Sequence, residues 1–297
     1  RCRRSRRPAF NRGRASTLDR HVTRDVSFAG STVRIDYDGA QPAAVVDFVL
    51  ARVPHATGSP EPHVTLTLRE NEDGLLTLHC GEHLHHRGRS PGTAGRELLE
   101  RLLYHLSDRS RDGMALHAAA LCRESECILF PGQTGSGKST LAAWFAARTF
   151  TYLTDELVYI PSGTTEAVPF TRPLNLRKSS LAVVDVDANV ASRVLSGADI
   201  TLLWPDDATS RVAPASLRLT RIVFPRYQKE AGFEARALSK AETGLSLISC
   251  LINARNLEGH GFADVTRLAK EVPAFQVTYG NLVQVDEWLR DASQPKG

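Results

Sequence analysis

Gly132-Gln133-Thr134-Gly135-Ser136-Gly137-Lys138-Ser139 is the stretch whose reading decides the fold. It follows the pattern G-x-x-x-x-G-K-[ST], and its flanks suit it. The apolar run Glu126-Cys127-Ile128-Leu129-Phe130 ahead of it reads as a buried strand, and residues 140–148, rich in Leu and Ala, read as a helix. Strand, glycine loop and helix together form the context in which this pattern cradles phosphate. The glycines let backbone N–H groups turn inward around phosphate oxygens, and the helix N-terminus places partial positive charge behind them. Lys138 is then expected to reach the β- and γ-phosphates, and the Ser139 hydroxyl to meet Mg²⁺. The loop therefore predicts a nucleoside triphosphate site, with ATP and Mg²⁺ as ligands. Its cradle would be Gly132, Gln133, Thr134, Gly135, Ser136, Gly137, Lys138, Ser139 and Thr140.

Outward from the loop, the chain from 111 to 297 has the texture of an α/β core. Residues 114–121 and 126–130 read as a strand pair joined by the polar turn Arg123-Glu124-Ser125-Glu126. Further strands are expected at 150–154, 157–160, 181–186, 219–224 and 274–279. Ser239-Lys240-Ala241-Glu242 is a capping box that opens a helix to about Ala254, and helices are expected at 264–271 and 281–292. Residues 20–110 differ in character. Period-two alternation at 33–37, 64–68 and 76–79, with turn clusters at 54–62 and 71–74, predicts a small antiparallel β module. One helix follows at 95–107, with Leu98, Leu99, Leu102, Leu103 and Leu106 on one face. The fold class expected is α/β, with a P-loop core preceded by a smaller β-rich N-terminal module.

Residues 1–19 read as a solvated basic tail. Seven arginines (Arg1, Arg3, Arg4, Arg6, Arg7, Arg12, Arg14) precede any acidic residue, and without them the net charge of +4 becomes −3. The positive balance is thus a property of the tail, which gives no reason to expect nucleic-acid binding by the core. Composition is that of an ordinary globular chain, at 42% hydrophobic and 24% charged, with no apolar run near the ~18 residues of a membrane span. Cys2, Cys80, Cys122, Cys127 and Cys250 are scattered and form no C-x-x-C, as in a cytoplasmic protein with reduced thiols. His79-Cys80-Gly81-Glu82-His83-Leu84-His85-His86 is rich in metal-ligand types but lacks a second ligating segment, so it reads as a solvent-facing strand and turn. Leu195-Ser196-Gly197-Ala198 bears a chance likeness to a transporter-ATPase signature, with no strand ending in a glutamate behind it.

Asp155 lies 17 positions after Lys138, a distance that holds one helix and one strand. The strand next after the loop helix therefore delivers Asp155 and Glu156 toward the phosphates, where a carboxylate can serve the metal or accept a proton from a hydroxyl. In this the chain resembles the HPr kinase/phosphorylase group, whose nucleotide core is similar to that of phosphoenolpyruvate carboxykinase. The resemblance covers roughly 112–292 and rests on four blocks in order: Leu116-His117-Ala118, the glycine loop, Thr154-Asp155-Glu156, and Leu174-Asn175-Leu176-Arg177 with the apolar run after it. Asn175 stands where the family has a glutamate, and Lys178-Ser179-Ser180 where the bifunctional enzymes have a glycine-rich stretch. The likeness is closer to the broad HPr-kinase-like set, some of them tailoring kinases of peptide biosynthesis clusters.

That resemblance implies a serine/threonine-type kinase acting on a hydroxyl-bearing protein, peptide or small-molecule acceptor; the lack of a long apolar run gives no reason to expect a membrane partner, and homo-oligomerisation is left open. It implies Asp155 as the proton acceptor and Glu156 with Ser139 at Mg²⁺. Arg177 would neutralise charge in transfer, and His117 would sit beside the phosphate. The same loop also serves nucleotide-dependent regulators that transfer nothing or hydrolyse ATP, and the sequence leaves that alternative open.

Overall fold

The computed structural model describes residues 21–54, 60–148, 150–184, 193–205 and 216–293. The expected tail at 1–19 lies outside these residues, as does most of the turn cluster at 54–62 and the end of the 181–186 run.

The N-terminal strands β1 (Val22–Phe28), β2 (Ser31–Asp38), β3 (Val64–Glu70), β4 (Leu76–Cys80) and β5 (His83–Gly88) form a five-stranded sheet in chain order. Alternation turns Val33, Ile35, Leu66, Leu68, Leu76 and Leu78 into one core. Helices α1 (Ala40–Val49) and α2 (Pro91–Asp108) cover that core. The expected all-antiparallel module with one helix needs correction, because β2 and β3 pair in parallel. A parallel pair cannot be closed by a hairpin, and α1 lies in the crossover connection it requires. Pro42 and the run of valines disguise α1 in the sequence, yet proline in a first helical turn removes only an N–H that lacks an intrahelical partner. Helix α2 also starts earlier than expected, at Pro91, with the Ser90 side chain accepting from the Thr93 N–H.

The rest of the chain builds a mixed α/β arrangement. In order come β6 (Gly113–Arg123), β7 (Glu126–Pro131), α3 (Lys138–Ala146), β8 (Thr151–Thr154), β9 (Leu157–Pro161), β10 (Glu166–Pro169), β11 (Leu174–Arg177) and α4 (Lys178–Val184). Then follow β12 (Val194–Ser196), β13 (Ile200–Leu203), β14 (Leu217–Arg218), β15 (Arg221–Tyr227), β16 (Glu234–Ala237), α5 (Lys240–Ile248), α6 (Phe262–Glu271), β17 (Ala274–Tyr279) and α7 (Leu282–Ser293). Among the described residues the main sheet runs β14-β10-β9-β6-β7-β15-β17-β16, with β8 paired to β6, and β11-β13-β12 forms a separate small sheet. Strands β7, β15 and β17 are parallel neighbours, whereas β6 is antiparallel to β7.

Both faces of this sheet are covered, which is why its strands are apolar throughout rather than alternating. On one face Ala119, Leu121 and Phe130 pack with Leu141 and Phe145 of α3 and Val285 of α7. On the other, Leu116, Ala120 and Leu129 pack with Leu247 of α5 and Leu268 of α6. The first core does not stop at the module boundary: Ala115, Leu157, Phe170 and Leu202 belong to it.

Two local expectations fail. Residues 181–184 are helical in α4, not a strand, because the chain turns straight out of β11 at Lys178 and β-branched residues alone do not make a strand without a pairing partner. Helix α5 has the expected capping box but ends at Ile248, short of Ala254. No helix among the described residues is long and apolar enough to cross a membrane.

Gly92 of α2 lies against the backbone of Ser196 and Gly197, so close that an added Cβ would overlap it. The measured stability of Gly92→Val should therefore fall by about 2 kcal/mol or more in urea unfolding, an overpacking cost that Gly30→Val, with open space around it, escapes through contacts and bears only through its positive φ.

Candidate functional site

The glycine loop leaves β7 at Pro131 and enters α3 at Lys138. Gly135 and Gly137 take φ of 89° and 94°, a left-handed backbone that a side chain would strain. Gly137 is the N-cap of α3 and no side chain caps that helix, so its first-turn N–H groups point out of the loop without a side-chain acceptor. Lys138 folds back, its ammonium donating to the carbonyls of Gly132 at 2.6 Å and Gln133 at 3.1 Å. Burial pushes its pKa down, opposed by Glu156 and Asp155. Among the described residues the buried Ser136 hydroxyl finds no hydrogen-bond partner. A buried cation, an uncapped helix start and an orphaned hydroxyl all suit an anion with several oxygens. The residues present thus fit the phosphates of ATP.

The backbone brings the neighbouring groups into line. His117 on β6 donates its N–H to the Cys250 carbonyl at 2.8 Å and accepts from Gly132 at 3.4 Å, while Ala118 donates to the Glu156 carbonyl at 3.2 Å. These bonds seat His117 and Glu156 beside the loop. The His117 Nε2 lies 3.2 Å from Glu156 Oε1, and the guanidinium of Arg172 lies 3.5 Å from Glu156 Oε2. Burial drives the His117 pKa down to about 4; the Lys138 and Arg172 cations push the same way and Asp155 resists. The imidazole is therefore neutral near pH 7 and can donate its Nε2 hydrogen to the carboxylate. Burial raises the Glu156 pKa, with Arg172 pulling it down and Asp155 adding to the rise. Its side chain is 39% exposed and lines the cavity.

Asp155 is placed differently from the sequence expectation. Its side chain is fully buried and absent from the cavity lining, held by the Tyr152 hydroxyl at 3.0 Å and facing Arg172 at 3.7 Å, with one carboxylate oxygen unpartnered among the described residues. The two residues form the bend between β8 and β9, where the Glu156 side chain turns to the cavity and that of Asp155 to the core. The sequence reading missed Arg172. This arginine, 2% exposed between β10 and β11, also donates to the Pro173 carbonyl at 3.1 Å. No spacing pattern marks it; the usable signal was a single cation amid Phe170, Thr171 and Leu174 in a chain offering two adjacent acids.

One cavity of about 1070 Å³ gathers Thr134, Gly135, Gly137, Lys138, Ser139 and Thr140 with His117, Glu156, Asn175 and Arg177. Of the expected residues, Gly132, Gln133, Ser136 and Asp155 do not line it. Gln133 instead donates its amide to the Ser249 carbonyl. Arg96 and Glu100 of α2 reach the cavity from the N-terminal module, and Tyr227, Tyr279 and Leu282 line it beyond the loop. Among the described residues no three His, Cys, Asp or Glu side chains converge on a metal site, so Mg²⁺ here would rely on the Ser139 hydroxyl, phosphate oxygens and water.

Neither a family model nor a curated protein matches this chain. The site is therefore read from its own chemistry.

Two outcomes follow from the buried charges. Arg172→Met strands the Asp155 carboxylate in the core and should cost about 3–5 kcal/mol in chemical denaturation, much of it recovered in Arg172→Met/Asp155→Leu. His117 titrates near 4 in the folded chain against an ordinary 6.5, so the unfolded chain takes up its proton first as pH falls. Its share of stability is present above pH 6.5 and is lost between 6.5 and 4; His117→Gln should flatten that part of the stability–pH curve.

Proposed function

We propose that this chain is an ATP-dependent phosphotransferase, with a P-loop core like that of the HPr-kinase-like proteins, acting on a serine/threonine-type hydroxyl of a protein, peptide or small molecule. The observation that carries the reading is the Glu156–His117 pair, 3.2 Å apart, facing Lys138 across one cavity. An acid whose pKa is raised by burial and whose orientation is fixed by a neutral imidazole suits a general base. This moves the proton-accepting role from Asp155 to Glu156. Asp155 keeps Arg172 in place below it.

In this reading the loop N–H groups and Lys138 hold the triphosphate, and the Ser139 hydroxyl meets the metal. Mg²⁺, when bound, would neutralise charge on the phosphate oxygens. The acceptor hydroxyl forms its new O–P bond as the bond from the γ-phosphorus to the β-bridging oxygen breaks. Glu156 takes the hydroxyl proton, and ADP carries away the electron pair of the broken bond. Arg177, exposed at the end of β11, faces the charge that shifts during transfer. Arg96 and Glu100, bridged at 2.8 Å on α2, line the same cavity, which supports a role for the N-terminal module in acceptor recognition.

The test compares binding with transfer. Glu156→Gln should hold Mg-ATP within about threefold of the parent affinity while γ-phosphoryl transfer to hydroxyl acceptors falls 10²-fold or more. A loss of magnesium-dependent affinity instead would give Glu156 to the metal and withdraw it as base. Lys138→Ala should abolish both, and transfer that survives Lys138→Ala sinks the reading as a whole.

A further inference from the structure

The strand order of the main sheet gives the cavity a direction. His117 sits on β6, and Glu156 precedes β9, both on one side of β7; Tyr227 and Tyr279 end β15 and β17 on the other side. The loop grows from the end of β7, between the two groups. From β6 to β17 are three inter-strand steps of about 4.8 Å, roughly 14 Å in all, a span on the scale of an extended nucleoside triphosphate. If the phosphate that reacts lies toward Glu156, the other end of the same molecule must lie toward the tyrosines.

That end has the surface a planar ring needs. Tyr227 is 52% exposed, whereas Tyr279 is buried behind it with ring centroids 5.8 Å apart and planes tilted by 59°. Both side chains approach the last glycine of the loop, Tyr279 by its hydroxyl and Tyr227 by its Cβ. A Cβ on Gly137 would meet the Tyr279 hydroxyl at 2.9 Å and the Tyr227 Cβ at 3.3 Å. The Gln228 N–H donates to the Tyr279 carbonyl at 3.0 Å, which locks the two strand ends together. Leu282 adds an apolar floor. The other large aromatic ring in the cavity, Trp144, is 7% exposed, and the Arg148 guanidinium already lies 3.9 Å from its centroid.

We propose that Tyr227 is the stacking platform for the nucleobase, with Tyr279 holding it upright beside Gly137. This inference rests on the phosphate-binding reading above. It makes Tyr227 a binding residue that neither the loop motif nor the family resemblance indicates, and it predicts a contribution present for ATP and absent for inorganic tripolyphosphate.

The experiment is calorimetric titration of the full chain with ATP and with tripolyphosphate, magnesium present throughout, for the parent, Tyr227→Ala, Tyr227→Phe and Lys138→Ala. Base–aromatic stacking is large enough that the ratio of ATP to tripolyphosphate affinity should fall at least about fivefold in Tyr227→Ala. Tyr227→Phe should keep the ratio, and unchanged tripolyphosphate affinity in Tyr227→Ala confirms that the site itself is intact. A ratio that does not move in Tyr227→Ala overturns the nucleobase assignment and leaves the phosphate reading standing. A parent chain that binds neither ligand, or a Lys138→Ala chain that binds both undiminished, overturns both together.

Discussion

The interaction on which the site depends is the compensation of two buried cations by two adjacent acids. Lys138 and Arg172 both stand in low dielectric, where an unpaired charge costs several kcal/mol. Asp155 answers Arg172 from below, and Glu156 is shared between Arg172 and His117. Arg172 thereby fixes the carboxylates from behind, and among the described residues Lys138 hydrogen-bonds only the carbonyls of its own loop. A cation satisfied by neutral carbonyls retains most of its field, and the cavity in front of it is where that field is felt.

The loop was legible because its constraints are local. Two glycines with positive φ, a lysine and a following helix are fixed by spacing along the chain, and β7, α3 and β17 lie close to where the pattern put them. The capping box of α5 was legible for the same reason. Arg172 was not, since its meaning comes from a contact between separate strands. Which of Asp155 and Glu156 would face the cavity was also beyond the sequence, because both lie in the bend between β8 and β9, where no strand alternation assigns either a side. The crossover helix α1 was hidden by a proline that is harmless only in a first turn, and α4 by valines whose strand preference no neighbour rewards.

The parallel trio β7, β15 and β17 explains why so much converges at one edge. Parallel strands end on the same side, so the loops that follow them form a single rim, and in open α/β sheets that rim is where ligands settle. The antiparallel strand β6 runs the other way, and its His117 reaches the same rim from mid-strand rather than from an end. Strands running in both directions thus deliver groups to one place.

The close seating of Gly92 on the turn after β12 has a consequence for how the molecule can move. The Trp204 indole also donates to the Phe48 carbonyl at 2.9 Å, and Arg52 lies over the same ring, so the first hundred residues are riveted to the small sheet at two points. A hinge between the halves would have to break both. A chain without its front portion would lose Arg96 and Glu100 from the cavity wall, a trough missing one bank.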